Sequence, residues 1–185
     1  MPSVPQYWAL MLILVGALPR LNCPESQYQR PCYGTEGDLA ILYLDTSALL
    51  KLFIRESGTD VMIGLAVSPD NRLAISSLAP VELRSAVRRR QRSGDLPKLI
   101  AEKLLDYFDS TLAEKFLQQP VTDAVISESF LLIDRHALRA LDAIQLASCK
   151  VLQYSLSSSA RFICSDLNLI EAAQSERLEC FDPVK

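Results

Sequence analysis

Short apolar runs alternate along this chain with longer segments in which apolar residues recur at helical spacing. Three of the runs have the length and the nearly continuous apolar character of strands buried on both faces. These are LAILYLD, RLAISSL and RFICSD, at residues 39–45, 72–78 and 161–166. The helical segments, several with Pro, Gly or Ser near their ends, are residues 46–55, 59–67, 78–93, 96–118, 122–135, 139–155 and 167–176.

Strands separated by helices predict a parallel sheet covered on both sides, because each crossover helix packs back onto one face. The predicted fold is therefore a three-layer α/β/α sandwich with a central parallel sheet. In such sheets, ligands bind at the carboxyl ends of strands where the strand order reverses. An acidic residue at the end of a strand is therefore a candidate for function.

The composition changes near residue 39. Residues 39–185 are interpreted as one folded domain, and residues 1–38 as an N-terminal extension that is disordered or reflects a misassigned start. The apolar stretch at residues 8–18 is shorter than the roughly 20 residues that a membrane-spanning helix needs. An alternative is the apolar region of a signal peptide, although no Lys or Arg precedes it.

The net charge and the amino-acid composition restrict the kinds of functional site that the chain can have. With a formal charge of −3, a polyanion would have to be bound by a local basic patch or through metal ions. Five scattered cysteines without a CxxC pair argue against a zinc knuckle or a disulfide framework, and predict a reducing, cytoplasmic location. His136 is the only histidine, which excludes a histidine-based metal site and argues against a Ser/His/Asp triad. The chemistry must then rely on carboxylates.

Two carboxylates directly follow predicted strands. Asp45 ends the strand in LYLDTS, and Asp166 repeats the arrangement in FICSDLNLIEAA. Both could simply cap the helix that follows, which is a common role of aspartate. At the second position, Ser165 could cap the helix instead.

Two further acids lie on helix faces where a solvated acid is not expected. Glu82, in SSLAPVELRSAV, is surrounded at helical spacing by mostly small and apolar residues. Asp142, in LRALDAIQLASCKVLQ, shares an apolar stripe with Leu138 and Leu146. Burying an unpaired carboxylate is unfavourable in free energy, so the side chain of Asp142 should be neutral, paired with a base or bound to a cation. Arg139, three residues earlier, is the alternative partner.

If the four acids converge, their mutual repulsion must be neutralised. Two like charges about 4 Å apart repel by about 4 kcal/mol at an effective dielectric constant of 20. Oxygen ligands without His or Cys favour Mg²⁺ or Mn²⁺ over zinc. In such a site Thr46 or Ser47 would orient Asp45 or contact a metal-bound water.

The four acidic segments together resemble a known family. In order and spacing, LYLDTSALLKLF, SSLAPVELRSA, LRALDAIQLAS and RFICSDLNLIEAA are similar to the acidic motifs of PIN-domain ribonucleases, most closely the toxins of VapBC-type toxin–antitoxin modules. The resemblance covers about residues 40–182. It implies that Asp45, Glu82 and Asp142 are the three defining catalytic and metal-binding acids, and that Asp166 is the more variable fourth.

The resemblance also implies an activity and partners. The expected protein is a divalent-metal-dependent endoribonuclease, in which one or two ions activate a water that hydrolyses an RNA phosphodiester bond to leave a 5′ phosphate and a 3′ hydroxyl. It would be the toxin of a toxin–antitoxin module. It would form a homodimer, bind a VapB-like antitoxin across its cleft, and have no membrane partner.

A local basic segment could hold the RNA. In LRSAVRRRQR, the residues Arg84, Arg88 and Arg92 fall at i, i+4 and i+8, along one side of the helix that carries Glu82. The alternative is a solvated helix end, where cations are favoured by the helix dipole.

Two other functional classes share some of these sequence features. A haloacid-dehalogenase-like phosphotransferase also has an Asp at the end of its first strand, but it needs a second Asp two residues later, where this chain has Ser47. A non-catalytic PIN-like binding domain stays open, although the retention of all four acids argues against it. Metal-dependent RNA cleavage would distinguish these classes.

Overall fold

The computed structural model describes residues 40–185, and the structural statements below concern that part of the chain. Its centre is a five-stranded, entirely parallel sheet, which confirms the predicted three-layer α/β/α sandwich. The predicted extension at residues 1–38, with its signal-peptide alternative, lies outside the described residues. The strands are β1 Ala40–Leu44, β2 Asn71–Ser76, β3 Phe116–Gln119, β4 Ala160–Ile163 and β5 Cys180–Phe181, in the order β3-β2-β1-β4-β5.

Seven helices lie on the two faces of the sheet in the described range. None of these helices is long and apolar enough to cross a membrane. Five predicted helices agree with the structure to within one residue at each end, namely the second, third, fifth, sixth and seventh. The helices are α1 Thr46–Lys51, α2 Thr59–Val67, α3 Ala79–Ser93, α4 Lys98–Lys115, α5 Asp123–Arg135, α6 Ala140–Leu156 and α7 Leu167–Ser175.

The fourth predicted helix was too long, and the strand at its end was not predicted. Residues 96–118 were predicted as one helix, but α4 ends at Lys115 and Phe116 opens β3 without an intervening loop. No Gly or Pro separates the two elements, so the local sequence carries no stop signal. Residues 116–119 form a strand because they pair with β2, where Phe116 is the partner of Leu73.

Two other boundaries also differ from the prediction. The first helix was expected to reach residue 55, but it ends at Lys51, and the buried side chains of Phe53 and Ile54 follow in a turn. The short edge strand β5 was not predicted, because two residues are too few to give an alternation pattern.

The two faces of the sheet carry separate apolar cores. Successive side chains of β1 point to opposite faces. Leu42 and Leu44 pack with the layer formed by α1, α2, α3 and α4. Tyr43 lies in the other core, with residues of α5, α6 and α7, and stacks on Phe162 at 5.8 Å between ring centroids. Four aromatic residues, namely Tyr43, Phe53, Phe108 and Phe116, are buried in these cores.

The strand order reverses at β1, and this creates a crevice. The chain runs from β1 to β2 and β3 on one side, whereas β4 and β5 lie on the other side. Segments that leave the carboxyl ends of β1 and β4 diverge, which is the arrangement that opens a binding crevice in parallel sheets. Asp45 follows β1 at this point, and its backbone N–H donates to the carbonyl of Ile163 at 3.1 Å.

Candidate metal site

Asp45 is buried at the carboxyl end of β1, with 6% of its surface exposed. It caps α1 through one oxygen, because Oδ1 accepts hydrogen bonds from the backbone N–H of Ala48 at 2.9 Å and from the hydroxyl of Ser47 at 2.8 Å. Its other oxygen, Oδ2, faces the thiol of Cys164 at 3.4 Å. Asp45 can therefore cap α1 through Oδ1 while Oδ2 takes part in another interaction.

Burial makes the ionised form of Asp45 less favourable. Loss of water raises the pKa of this carboxyl above its ordinary value, while the donors from Ala48, Ser47 and Cys164 lower it by a smaller amount. A cation in the crevice would stabilise the ionised form.

Glu82 lies half-buried in the first turn of α3 and is held by two neighbouring elements. Its Oε2 accepts hydrogen bonds from the hydroxyl of Thr46 at 2.8 Å and from the side-chain amide of Gln145 at 2.5 Å. Thr46 directly follows Asp45, so a single residue connects the two acids. Within residues 40–185, Oε1 of Glu82 accepts no hydrogen bond.

Asp166 caps α7 and is connected to Asp45 through a cysteine. Its Oδ1 accepts from the backbone N–H of Leu169 at 3.1 Å, so Asp166 and not Ser165 is the capping residue. The backbone N–H of Asp166 donates to Sγ of Cys164 at 3.2 Å. The same sulfur faces Oδ2 of Asp45, and therefore links the ends of β1 and β4.

Asp142 lies half-buried in the first turn of α6. Burial, followed by the negative charge of Asp166, raises the pKa of Asp142 above its ordinary value. The charge and backbone N–H of Arg139 oppose this rise. Arg139 is nevertheless not a direct partner, because no ion pair in the described part of the chain involves Asp142.

Hydrogen bonds connect the regions of Asp45, Glu82 and Asp166, and Asp142 is close enough to Asp166 to respond to its charge, but the four acids do not form a closed set of ligands. Among residues 40–185, no group of three or more His, Cys, Asp or Glu side chains is arranged to hold a metal ion as it stands. The chemistry of the donors nevertheless fits Mg²⁺ or Mn²⁺, because the open atoms are carboxylate oxygens. Burial raises the pKa of the Cys164 thiol well above its usual range, so this group remains a neutral donor to Asp45 and not a thiolate ligand.

Two residues of the network, Gln145 and Cys164, were not singled out from the sequence. Gln145 is almost fully buried on α6, three residues after Asp142. A signal was available, because an amide between Ile144 and Leu146 interrupts an apolar segment. Cys164 gave no comparable signal, since a cysteine after a buried strand reads as an ordinary core residue.

Two of the three arginines of the predicted basic patch interact with other side chains in the structure. Arg84 is exposed and forms an ion pair with Asp109 at 2.5 Å, and Arg88 donates to the side chain of Gln91 at 2.7 Å. Arg92 is exposed and forms no ion pair with any residue from 40 to 185.

His136 contacts none of the four acids. Its Nε2 lies 2.9 Å from Oε1 of Glu176, which also pairs with Arg135 and Lys150. His136 therefore belongs to a separate group of charged residues around Glu176.

Comparison with known proteins connects this geometry to a family. The sequence profile of the PIN domain matches residues 42–173. Ribonuclease VapC35 from two strains of Mycobacterium tuberculosis is 32% identical over 146 residues, which cover 77% of this chain and 97% of the relative.

Two solved structures share the fold at low sequence identity. VapBC2 from Rickettsia felis, bound to a DNA fragment from its promoter, matches with a TM-score of 0.54 and 15% identity, over 77% of this chain and 98% of the other. FitAcB from Neisseria gonorrhoeae matches with a TM-score of 0.54 and 18% identity, over 77% and 97% of the two chains. Together with the sequence matches, these similarities establish that the chain belongs to the PIN domain family.

Proposed function

We propose that this protein is a divalent-metal-dependent endoribonuclease that hydrolyses RNA phosphodiester bonds as the toxin of a VapBC-type toxin–antitoxin module. The observation that carries the proposal is the network that connects Asp45, Glu82 and Asp166, with Asp142 near Asp166, at the point where the strand order reverses. Membership of the PIN domain family and similarity to a VapC ribonuclease support the same activity.

The four acids would hold Mg²⁺ or Mn²⁺. When bound, such an ion supplies an activated water and stabilises negative charge on the phosphate oxygens. Ser47 and Ala48 occupy Oδ1 of Asp45, so Oδ2, which has only the weak contact with the Cys164 thiol among residues 40–185, would be the oxygen that binds the ion. Thr46 and Gln145 likewise occupy one oxygen of Glu82 and leave the other open.

The electrostatics of the crevice supports a role for a cation in RNA binding. Burial, and after it the negative charge of Asp166, raises the pKa of Asp142 and so disfavours its ionised form. An RNA phosphate would add a further negative charge to the same crevice. The four carboxylates would hold a divalent ion, whose charge would offset theirs and attract the phosphate.

RNA binding is assigned to the α3 arginines. Arg84, Arg88 and Arg92 are on the helix that carries Glu82, so RNA held along this helix would extend towards the acids. Within the described residues Arg92 forms no ion pair, whereas Arg84 and Arg88 would first have to release Asp109 and Gln91.

The proposal includes a homodimer and a VapB-like antitoxin. The C-terminal half of α5 exposes Phe130 and Leu131, with 61% and 51% of their surfaces accessible, and Leu141 follows at the start of α6 with 48%. Large exposed apolar side chains close together in the chain are typical of protein contact surfaces. An antitoxin that covers the acids would need a basic side chain to neutralise them.

A cleavage assay tests the activity. RNA is incubated with the parent chain, Asp45→Asn and Asp142→Asn, each with Mn²⁺ or with EDTA. We expect the two substitutions and EDTA to reduce the cleavage rate by about 100-fold or more, because each removes part of the metal site. Asp106→Asn, which changes an exposed acid on α4, is the charge-matched control and should retain the parent rate. Cleavage that survives both substitutions would refute the nuclease assignment.

The second candidate is a non-catalytic PIN-like binding domain. It is favoured by one observation, that no three acids among residues 40–185 are arranged as a ready metal site. Such a domain would bind its protein partner with the same affinity after Asp45→Asn, and the parent chain would not cleave RNA with any ion.

A further inference from the structure

A buried chain of hydrogen bonds leads from the sheet to Glu82. The hydroxyl of Tyr43 donates to Oε1 of Gln145 at 2.9 Å, and Nε2 of the same amide donates to Oε2 of Glu82. Tyr43 has no exposed surface and Gln145 has 3%. These two polar side chains therefore lie in the apolar core between the sheet and α6, where polar groups are retained only if their hydrogen bonds are satisfied.

The secondary structure explains why the two side chains meet. Tyr43 points to the α6 side of β1, because its neighbours Leu42 and Leu44 point to the opposite face. The hydroxyls of Ser76 on β2 and Ser148 on α6 lie beside the Tyr43 hydroxyl. Gln145 faces the sheet one turn after Asp142, so its amide spans the distance between the core and the crevice.

The chemistry of the groups fixes the direction of this chain. An ionised carboxylate can only accept hydrogen bonds, so the NH₂ group of Gln145 must face Glu82. Its carbonyl oxygen must then face Tyr43, which has to donate.

Removal of the phenol oxygen would free the amide to rotate. The carbonyl oxygen of Gln145 would lose its donor in a buried place, which is unfavourable. If the amide turned over, its oxygen would face the oxygen of Glu82, and the contact would become repulsive. The orientation of Glu82 thus depends on a residue on the core side of β1.

We propose that Tyr43 and Gln145 are positioning residues that act through Glu82, an inference that rests on the proposed function. The phenol holds the amide of Gln145 in one orientation, and the amide holds Oε2 of Glu82 so that Oε1 stays free for the metal ion. Neither residue touches the RNA or the ion.

The test uses two substitutions and two matched controls in the full chain. Tyr43→Phe removes one buried oxygen and keeps the ring, and Gln145→Met keeps the length and removes the amide. Tyr107→Phe is the control for the first, because the Tyr107 hydroxyl is buried and has no partner within residues 40–185. Gln153→Met is the control for the second, because Gln153 lies on the same helix and, among residues 40–185, donates only to the carbonyl of Ala160 at 3.1 Å.

Three measurements are made on each variant. The first is Mn²⁺ binding to the RNA-free protein, followed by the electron paramagnetic resonance of free Mn²⁺. The second is kcat and KM for RNA cleavage with saturating Mn²⁺. The third is the side-chain amide resonance of Gln145 in the metal-free protein, compared between the parent, Tyr43→Phe and Tyr107→Phe. The thermal midpoint shows that each variant is folded.

The expected result separates positioning from general stability. Tyr43→Phe and Gln145→Met should each weaken Mn²⁺ binding by about 10-fold to 100-fold, the usual effect of losing an outer hydrogen bond to a ligand. They should lower kcat and leave KM for RNA near the parent value. Tyr43→Phe should also shift the Gln145 amide resonance. Both controls should match the parent in metal binding and catalysis.

The outcomes that overturn the inference are distinct from those that overturn the proposed function. If Tyr43→Phe binds Mn²⁺ and turns over like Tyr107→Phe, the positioning role is wrong, while the nuclease assignment stands. If the parent neither binds Mn²⁺ nor cleaves RNA, the proposed function fails, and this inference fails with it. Should Gln145→Met not fold, Tyr43→Phe alone decides the result.

Discussion

The hydroxyl of Thr46 donates a 2.8 Å hydrogen bond to Oε2 of Glu82. Because Thr46 directly follows Asp45, the end of β1 both carries one acid and orients a second acid on α3. Gln145 of α6 approaches the same oxygen from the other side of the sheet. Glu82 is therefore held between residues from both helical layers, which makes its position sensitive to each of them.

Substitution of Thr46 tests this contact. Thr46→Val keeps the shape of the side chain and removes the donor, so we expect the single-turnover cleavage rate to fall by about 10-fold. Thr46→Ser keeps the hydroxyl and should retain most of the parent rate. Equal rates for Thr46→Val and the parent would show that the hydrogen bond does not position Glu82.

The pKa of Asp142 predicts a pH-dependent effect on stability. Because burial and Asp166 raise this pKa in the folded state, ionisation of Asp142 opposes folding. The contribution of the protonated carboxyl is fully present below the unfolded-state value near 3.8, and is lost as the pH rises through the higher folded-state pKa. In the metal-free protein at pH 7, Asp142→Asn should therefore raise the free energy of unfolding.

Urea denaturation in EDTA at pH 4 and pH 7 measures this effect. The advantage of Asp142→Asn over the parent should be larger at pH 7 and shrink towards pH 4. Asp106→Asn, on the exposed face of α4, changes the net charge equally and should show a smaller effect. An Asp142→Asn variant less stable than the parent at pH 7 would mean that the carboxylate has a favourable partner in the folded protein.

Arg92 should contribute more to RNA affinity than Arg84. Arg92 is exposed and unpaired within the described residues, whereas Arg84 is paired with Asp109. Each phosphate contact that is lost should weaken RNA binding and lower the slope of log affinity against log salt by about 0.7 for single-stranded RNA. Fluorescence anisotropy in the inactive Asp45→Asn background measures both quantities.

The control for this prediction is Lys103→Gln, which removes an exposed charge on α4. Arg92→Gln should reduce affinity and salt slope, and Lys103→Gln should change neither. Equal effects of both substitutions would indicate a response to net charge and not to a binding site on α3.

The sequence predicted the centre of the fold better than its edges. Strands β1, β2 and β4 are buried on both faces, so their composition alone identifies them. β3 and β5 are short edge strands, and their existence depends on pairing with β2 and β4, which no local pattern encodes. The fourth predicted helix overran into β3 for this reason.

The candidate site could be predicted only in part. The strand ends and helix periodicity singled out Asp45, Glu82, Asp142 and Asp166, because an acid is conspicuous in an apolar segment. The hydrogen bonds among them join residues far apart in the chain, such as Thr46 to Glu82 and Cys164 to Asp45. Gln145 was missed because its partners are visible only after the sheet and α6 have packed together.

Two glycines with the same backbone conformation should differ in their tolerance of alanine. Gly58 and Gly94 both have a φ of +86°. A Cβ at Gly58 would lie 2.7 Å from the carbonyl oxygen of Pro183, whereas a Cβ at Gly94 meets nothing within 4 Å. Gly94→Ala should cost about 1–2 kcal/mol of the free energy of unfolding, for the left-handed conformation alone.

Gly58→Ala should cost clearly more, because the clash with backbone atoms adds to the same conformational strain. Urea denaturation of the two variants at pH 7 provides the comparison. If both lose equal stability, the C-terminal segment around Pro183 does not pack against Gly58 in solution.

The most direct test of the metal site is a crystal structure of the protein soaked with Mn²⁺, with anomalous diffraction recorded at the manganese absorption edge. The expected result is a manganese peak at the carboxyl ends of β1 and β4, coordinated by Asp45 and by at least two of Glu82, Asp142 and Asp166. An empty crevice at saturating Mn²⁺, or a peak bound elsewhere on the molecule, would contradict it.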